Sequence, residues 1–376
     1  MTDRTAFRAA RIFDGTDWHD DAALLVQDGR VAGIVPASDA PDAQPVDGAI
    51  VPGLIDLQAN GGGGVLWNND PSADAIGTIC NAHASLGTTA IMVTLITDTP
   101  TVTAQAIAAA QTAQGTPGLL GIHLEGPHLS LPRKGTHDPG LIRAMTDEDQ
   151  ARLIAAKNHF DHMICTIAAE SVSPQQVQVL AGAGITVSLG HTDCPHETAV
   201  AYADAGAVMV THLFNAMGQM AHRAPGLVGA ALDDGRLWAG LIADGFHVAD
   251  AAMRVALRGK AGPGGIFLVS DSMSTIGSDQ TGFTLNGRQI FRADGRLTLA
   301  DGTLAGADIA LIDGVRYVHQ RLGLPLESAL QLASLAPAQA LGITDRGHLR
   351  QGAHADFIAL TPEITATSTW IAGVPV

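Results

Sequence analysis

Short apolar runs alternate with alanine-rich amphipathic stretches from Val51 onward. Runs of this length separated by helical periodicity predict a parallel sheet covered by helices. Each run spans six to eight residues, as expected for buried strands. The eight runs are Gly53–Asn60, Thr89–Ile96, Leu119–Glu125, His162–Ala168, Ile185–His191, Val208–Asn215, Leu237–Asp244 and Ile266–Asp271. This number of strands predicts an α/β fold of the (β/α)8 TIM-like barrel type.

The first fifty residues follow a different pattern, with short strands separated by turns. We predict strands from Phe7 to Phe13, Ala22 to Gln27 and Val31 to Val35, with an Asp28-Gly29 turn before the third. The segment Gly347–Leu360 near the other end also has the pattern of strands. The N-terminal pattern indicates a small β unit outside the barrel.

The simplest domain organisation places the barrel between the two ends of the chain. We expect residues 1–50 and 345–376 to form one small β-sandwich domain, and residues 51–344 to form the barrel. A β-hairpin insertion is predicted near 282–304, because Asn286-Gly287 and Asp294-Gly295 are typical hairpin turns. Helices are predicted near 307–322 and 326–340.

Composition narrows the class of protein. Of 376 residues, 46% are hydrophobic and 15% charged, which excludes disorder as the main state. The net charge of −16 disfavours nucleic acids and anionic membrane surfaces, since both require basic faces on the protein. Small-molecule chemistry is therefore the preferred interpretation.

Cysteine content and hydropathy indicate the compartment. Cys80, Cys165 and Cys194 form no C-x-x-C pair and are too few for a disulfide framework. The N-terminus lacks a charged region followed by an apolar run, and no run approaches the roughly 18 apolar residues of a membrane span. We expect a cytoplasmic protein.

Most of the eight predicted strands finish in polar or ionisable side chains. In a barrel, these strand ends face the active site. A single histidine that closes an apolar strand is more often a packed core residue than a ligand, but here several strands converge on one face. The polar residues are Gln58, Asn60, Glu125, Glu170, His191, His212, Asn215, Asp244, His247 and Asp271.

Three of these side chains form a ligand set for a metal ion. Glu125, His191 and His212 offer one oxygen and two imidazole nitrogens, which suits a catalytic Zn²⁺ with an open position for water. Fe²⁺ or another divalent ion also fits. Asp271 ends the eighth strand, where a carboxylate can exchange a proton with water and a leaving nitrogen. A helix N-cap or turn residue is the alternative interpretation of Asp271.

A series of motifs along the chain resembles the N-acetylglucosamine-6-phosphate deacetylase family of the amidohydrolase superfamily. The resemblance covers essentially the whole chain, and the motifs occur in the family's order. They are Pro52-Gly53-Leu54-Ile55-Asp56, Gln58-Ala59-Asn60-Gly61, His123-Leu124-Glu125-Gly126-Pro127-His128, Lys134-Gly135-Thr136-His137, Gly190-His191-Thr192, Thr211-His212-Leu213-Phe214-Asn215-Ala216-Met217 and Ala243-Asp244-Gly245-Phe246-His247.

The resemblance implies that Glu125, His191 and His212 bind the metal and that Asp271 is the catalytic acid/base. Many amidohydrolases carry His-x-His after the first strand and hold a second metal there. This chain has Gln58-x-Asn60 at that place, and neutral amides are poor ligands for a transition metal, so we expect one divalent ion per subunit. Zn²⁺ is the preferred candidate for this ion.

The family also implies roles in substrate binding. His137 would polarise the acetyl carbonyl, while Arg223 and His247 would bind phosphate, for which a planar guanidinium is suited. In relatives the phosphate contact can come from a neighbouring subunit, which implies a homodimer. Ser270 and Ser272 flank Asp271 where the family usually has threonine and alanine, so the hydrogen bonds of Asp271 are expected to differ. The residues implied to bind substrate are Gln58, Asn60, His137, Asn215, Ala216, Arg223 and His247.

These features predict a metal-dependent hydrolase that converts N-acetylglucosamine 6-phosphate to glucosamine 6-phosphate and acetate. One alternative is a deacylase with the same mechanism and another substrate, such as N-acetylgalactosamine 6-phosphate or an unphosphorylated N-acyl amine. Another is a non-catalytic interaction protein built on the same barrel. The presence of all four metal-site and catalytic side chains argues against it.

Overall fold

A computed structural model describes residues 4–376 of the chain. The first three residues, with which the predicted β domain begins, lie outside this range. The strands, in chain order, are β1 (Arg4–Phe13), β2 (Trp18–Gln27), β3 (Arg30–Pro36), β4 (Gln44–Pro45), β5 (Ala49–Pro52), β6 (Leu54–Ala59), β7 (Gly61–Gly62), β8 (Val65–Leu66), β9 (Thr88–Ile96), β10 (Leu119–Glu125), β11 (His162–Ile167), β12 (Thr186–Leu189), β13 (Ala207–Val210), β14 (Trp238–Leu241), β15 (Ile266–Leu268), β16 (Gly282–Leu285), β17 (Arg288–Ala293), β18 (Arg296–Thr298), β19 (Leu304–Ala307), β20 (Phe357–Leu360), β21 (Ala366–Ile371) and β22 (Val374–Pro375).

The helices cover the barrel and follow most of its strands. Several begin at a Ser or Thr whose side-chain oxygen accepts a backbone N–H of the first turn, among them Ser72, Thr99, Thr146 and Ser173. The α-helices are α1 (Ala73–Ala84), α2 (Pro100–Thr112), α3 (Asp147–Lys157), α4 (Pro174–Gly182), α5 (His196–Asp204), α6 (Gly226–Asp233), α7 (Asp250–Gly259), α8 (Leu311–Gln320), α9 (Leu326–Ala333) and α10 (Leu335–Ala340).

The predicted barrel is confirmed. Eight strands within residues 4–376 form a parallel sheet in the order β15-β14-β13-β12-β11-β10-β9-β6. β9 and β10 are buried along most of their length and match the predicted runs within one residue. From β12 to β15 the strands end two or more residues before the predicted ends, because the chain there turns into the loops that carry the polar side chains.

The barrel closes between β15 and β6 through a seam of irregular backbone. Asp271 N–H donates to Gln58 O at 2.9 Å, and Asn60 N–H donates to Ser272 O at 2.9 Å. Ser270 N–H has a side-chain acceptor instead, the buried carboxylate of Asp56 at 3.2 Å. The seam therefore fixes the backbone of Asp271 from both sides.

Both ends of the chain contribute to one β sheet. β20 pairs with β5 in antiparallel orientation, so that in the described residues β1–β5 and β20–β22 form a continuous eight-stranded sheet. Its inner face packs around Ile12, Leu24 and Phe357. The strand predicted over Gly347–Leu360 is wrong for its first part, since residues 347–356 form turns that pack against the sheet. The boundaries at residues 50 and 345 stay a prediction.

The predicted hairpin insertion is an antiparallel sheet of β16–β19. Asn286-Gly287 and Asp294-Gly295 form its turns in the left-handed region, with φ between 46° and 74°. Its apolar face, which includes Leu285 and Ile290, packs on Ile96 and Met273 at the carboxyl end of the barrel. The insertion therefore forms part of the wall around the barrel mouth.

The region after the insertion is helical, as predicted, but in three pieces. α8 lies within the predicted stretch near 307–322, and the stretch near 326–340 divides into α9 and α10 at Ser334. Across residues 4–376, the helices are all too short or too polar to span a lipid bilayer.

Candidate active site

Three buried side chains converge at the carboxyl end of the barrel. Glu125 Oε1 lies 3.2 Å from His191 Nε2 and 3.0 Å from His212 Nε2, and the two imidazole nitrogens are 3.0 Å apart. Glu125 ends β10, whereas His191 and His212 follow β12 and β13 directly. The structure thus brings together the three residues predicted as metal ligands.

The backbone at these positions is unusual. His191, His212 and Asp271 have φ of 48°, 30° and 47°, in the left-handed region that non-glycine residues seldom adopt. Each residue stands just after a barrel strand, where the positive φ turns the chain out of the sheet. Conformations of this kind concentrate at functional sites, where the surrounding structure holds them in place.

The three side chains form a charged cluster. Burial alone would raise the pKa of Glu125, but hydrogen bonds and the charges of His191 and His212 outweigh it and hold the pKa well below its usual range. Burial alone would lower the pKa of His212, and the bond to Glu125 raises it instead. Glu125 therefore carries the negative charge that a cation requires.

This donor set fits a divalent metal ion. Tetrahedral Zn²⁺ with bonds of about 2.0–2.2 Å separates its ligand atoms by about 3.3 Å, close to the separations of the three atoms here. His191 Nδ1 lies 2.8 Å from Arg133 O, so an Nδ1–H donated to that carbonyl leaves the Nε2 lone pair facing the cluster. One carboxylate and two imidazoles also suit Fe²⁺.

Asp271 lies beside the cluster and is held by two side-chain amides. Asn60 Nδ2 donates to Asp271 Oδ1 at 2.8 Å, and Gln58 Nε2 lies 3.2 Å from the same oxygen and 3.3 Å from Glu125 Oε1. Burial, together with the charge of Glu125, raises the pKa of Asp271 to about 7. A carboxyl group with such a pKa can both accept and return a proton near neutral pH.

Gln58 and Asn60 contact the carboxylates of the site. Both are buried, and their amide groups are directed at Asp271 and Glu125. Their expected contact with the substrate stays a prediction. They lie behind the carboxylates and not in the lining of the cavity. Their geometry is that of positioning residues.

His137 lies next to the cluster on the loop after β10. Its Nε2 is 4.0 Å from Glu125 Oε2, and its ring packs edge-on against His191 with centroids 4.4 Å apart. His137 Nδ1 is 2.8 Å from Thr97 Oγ1. Burial, with the charge of His191, lowers the pKa of His137 to about 3, so its imidazole is neutral at physiological pH.

A cavity of about 230 Å³ opens over these groups. Asn215 and Ala216, from the loop after β13, line one side together with His247 from the loop after β14. Asp244 Oδ2 lies 2.6 Å from His247 Nδ1. Burial would raise the pKa of Asp244, but the hydrogen bond and charge of His247 hold it below its usual range.

Arg223, like Gln58 and Asn60, is an expected site residue that does not line the cavity. It is exposed in the loop after β13, outside the lining of the cavity. Leu131, Met220 and Phe246, on loops at the same end of the barrel, are also exposed, at 54%, 55% and 46%.

Two contacts of the site escaped the sequence analysis. Thr97, which contacts His137, follows β9 in a loop without any distinctive spacing. Beneath the cluster, a buried polar chain joins His123 Nε2 to Thr166 Oγ1 at 2.7 Å, and Thr166 to Thr211 at 2.6 Å. The sequence signal for these hydrogen bonds was the presence of Ser and Thr at inward-facing positions of the barrel strands. That signal was missed because these residues lie within the apolar runs.

The chain is similar to known proteins in both sequence and structure. Residues 49–376 match the amidohydrolase family. The chain is 35% identical over 373 residues to the N-acetylgalactosamine-6-phosphate deacetylase of Shewanella sp. (strain ANA-3), which covers 97% of this chain and 94% of that protein. It is 38% identical over 338 residues to the N-acetylglucosamine-6-phosphate deacetylase of Danio rerio, covering 86% and 83%. The crystal structure of N-acetylglucosamine-6-phosphate deacetylase from Pasteurella multocida matches with a TM-score of 0.95 at 31% identity over 99% of both chains.

Proposed function

The chain belongs to the N-acetylglucosamine-6-phosphate deacetylases of the amidohydrolase family, and on this premise we propose that it hydrolyses N-acetylglucosamine 6-phosphate to glucosamine 6-phosphate and acetate. The observation that carries the proposal is the meeting of Asp271 and His137 with the Glu125, His191 and His212 cluster in one cavity. These are the groups that the active site of a metal-dependent amide hydrolase requires.

Glu125, His191 and His212 hold the metal ion in this proposal, with Zn²⁺ as the first candidate and Fe²⁺ as the second. When bound there, a divalent cation supplies a Lewis acid for the carbonyl oxygen and lowers the pKa of a water molecule at the site. The Asn60 amide and the backbone seam hold Asp271 in place beside it.

Asp271 transfers the proton. Its carboxylate accepts a proton from the attacking water and then donates it to the amide nitrogen, because an unprotonated nitrogen is a very poor leaving group. A pKa raised towards neutrality suits both steps, since the group gives up and accepts a proton at similar cost.

His137 polarises the carbonyl. In the tautomer that this role requires, the Thr97 hydroxyl donates to Nδ1 and the ring carries its proton on Nε2, the atom that faces Glu125 and the cavity. A neutral imidazole with Nε2–H can donate to the carbonyl oxygen as negative charge develops there.

The sugar and its phosphate occupy the side of the cavity formed by the loops after β13 and β14. Asn215 and Ala216 contact the sugar, and His247, paired with Asp244, binds the phosphate.

Arg223 completes the phosphate site from a second subunit. Its exposed position outside the cavity of its own chain supports this role. Leu131, Met220 and Phe246 are large apolar side chains exposed at the same end of the barrel, as expected of a surface that a partner covers. The proposed assembly is a homodimer with shared active sites.

N-acetylgalactosamine 6-phosphate is the second candidate substrate. The similarity to the Shewanella protein, which extends over nearly the whole of both chains, favours it. The two sugars differ only in the configuration of one hydroxyl, which the loops at the mouth of the cavity must distinguish.

The free thiols support a cytoplasmic location for this chemistry. Cys80, Cys165 and Cys194 are unpaired and buried, and burial raises the pKa of each thiol, to about 12, 12 and 11. Such thiols are inert, as expected in a reducing compartment.

The test is a comparison of three substrates with metal-reconstituted protein. kcat/KM for acetate release is measured with N-acetylglucosamine 6-phosphate, its galacto epimer and unphosphorylated N-acetylglucosamine. The proposal expects the first to have the highest value. A preference for the epimer selects the second candidate, and equal values with and without phosphate contradict the phosphate site.

A further inference from the structure

The cavity is lined by both polar and apolar side chains. Asn215, Ala216 and His247 come from the loops after β13 and β14. Two apolar side chains of the lining come from other strands, since Ile96 ends β9 and Met273 follows the seam that carries Asp271. The two substituents of a bound amide carbon point in different directions, so each can contact one of these two sets of residues.

Ile96 and Met273 stand directly beside the reacting groups. Ile96 pairs with Glu125 in the parallel register of β9 and β10. Thr97, the residue after Ile96, contacts His137, and Met273 lies two residues beyond Asp271. An acyl carbon held among these groups therefore has the Ile96 and Met273 side chains next to it.

The position of Met273 is fixed by its surroundings. It is 2% exposed and packs in one cluster with Ile96 and with apolar side chains of the hairpin insertion, including Phe283 and Leu285. Its side chain lies so close to Gly306 that a β-carbon on Gly306 would stand 2.6 Å from Met273 Cε. A side chain packed on several sides in this way leaves little space for a larger ligand.

We infer that Ile96 and Met273 form the acyl wall, the surface that receives the methyl group of the substrate and restricts hydrolysis to short acyl chains. The inference rests on the proposed function, because it assumes that the sugar lies towards Asn215 and His247. The amide nitrogen then points towards Asn215 and His247, and the acyl methyl group points towards the acyl wall.

Ile242 offers a rival surface within the same cavity. It follows β14 and precedes the loop that carries Asp244 and His247, so it lies on the phosphate side. If the substrate bound in the reverse direction, Ile242 would face the acyl group. The two surfaces can therefore be distinguished by mutation.

The experiment measures kcat/KM for N-acetyl, N-propionyl and N-butyryl glucosamine 6-phosphate through the released amine. One methylene in an apolar pocket changes kcat/KM by roughly 10- to 200-fold, and we expect wild-type protein to prefer acetyl over propionyl within this range. Met273→Ala removes the side chain beyond Cβ, that is Cγ, the sulfur and the terminal methyl group, and is expected to reduce that preference about tenfold or more. Ile242→Ala is expected to leave the ratio at its wild-type value.

A second measurement uses the binding of the substrate instead of its turnover. In the Asp271→Asn background, calorimetry gives dissociation constants for the acetyl and propionyl compounds, and Met273→Ala is expected to favour propionyl binding there too. If Met273→Ala does not fold, Ile96→Val replaces it, with an expected severalfold reduction of the acetyl preference.

Two results overturn the acyl wall while the proposed function stands. One is an acetyl preference that the wall variants leave unchanged, and the other is a preference that responds to Ile242→Ala instead. Wild-type protein that releases no amine from any of these compounds contradicts the proposed function, and the acyl wall with it.

Discussion

At the scale of single residues, the site is a set of polar side chains held by other polar side chains. The sequence predicted Glu125, His191 and His212 as site residues because each closes an apolar run. The carboxyl ends of barrel strands converge, and this convergence brings the three side chains together. Thr97 could not be predicted, since its contact with His137 depends on how the loop after β10 folds back over β9. Only the three-dimensional structure provides that contact.

Asp271→Asn tests the proton transfer. The amide keeps the oxygen that accepts from Asn60 but cannot take a proton from water, so we expect kcat to fall roughly 10³-fold or more. Metal content and substrate affinity are expected to remain, as measured by elemental analysis and calorimetry. Turnover close to the wild-type value would contradict the role of Asp271.

Thr97→Val tests the positioning of His137. Loss of the hydroxyl leaves Nδ1 without its partner, and the proton can then occupy the wrong nitrogen. We expect kcat to fall about 10- to 100-fold with little change in KM, since the contribution is made as charge develops on the carbonyl. Thr112→Val, exposed at the end of α2, is the matched control. An effect on KM alone would rule out this role.

At the scale of the elements, the barrel strands were predictable and the seam was not. Apolar periodicity located the strands, because burial on both faces gives continuous apolar runs. The closure of β15 onto β6 depends on contacts of Ser270 and Asp271 with the segment around Asp56, which lies more than 200 residues earlier in the sequence. The contacts of Gln58 and Asn60 with Asp271 could not be predicted for the same reason, since they form across the seam.

Asp56→Ala tests the seam. The substitution removes the acceptor of the buried Ser270 N–H and Gln58 N–H groups, and each unsatisfied buried donor costs about 1–3 kcal/mol. We expect the free energy of unfolding in urea to fall by about 2–5 kcal/mol, with lower kcat because Asp271 loses its support. Asp42→Ala, at an exposed position of the β domain, is the control. Unchanged stability in Asp56→Ala would show that the seam does not depend on this carboxylate.

At the scale of the whole molecule, the sequence pattern identified a barrel and a β unit that draws on both chain ends. Pairing of β20 with β5 joins those ends. The resemblance to a family contributed the expectation of a shared active site, which periodicity alone cannot supply. The exposed position of Arg223 within its own chain makes this expectation testable.

Arg223→Ala tests the shared site. We expect kcat/KM for the phosphorylated sugar to fall about 10- to 1000-fold. The reason is the loss of a charge-assisted contact to phosphate, which contributes about 1.5–4 kcal/mol. For the unphosphorylated sugar we expect no change in kcat/KM. Arg258→Ala, on an exposed arginine of α7, is the control. Mixed dimers of Arg223→Ala and Asp271→Asn chains should regain activity, because one site combines an intact Asp271 with an intact Arg223. Mixtures without any gain would place Arg223 outside a shared site.

The most direct test of the central claim measures metal and product on one sample. Purified protein is stripped with a chelator, reloaded with Zn²⁺ or Fe²⁺, and assayed for metal per chain and for acetate release from N-acetylglucosamine 6-phosphate. We predict about one ion per chain, bound through Glu125, His191 and His212, and acetate release that appears only with that ion. A protein that releases acetate equally well without metal, or binds one ion per chain and releases none, would contradict it.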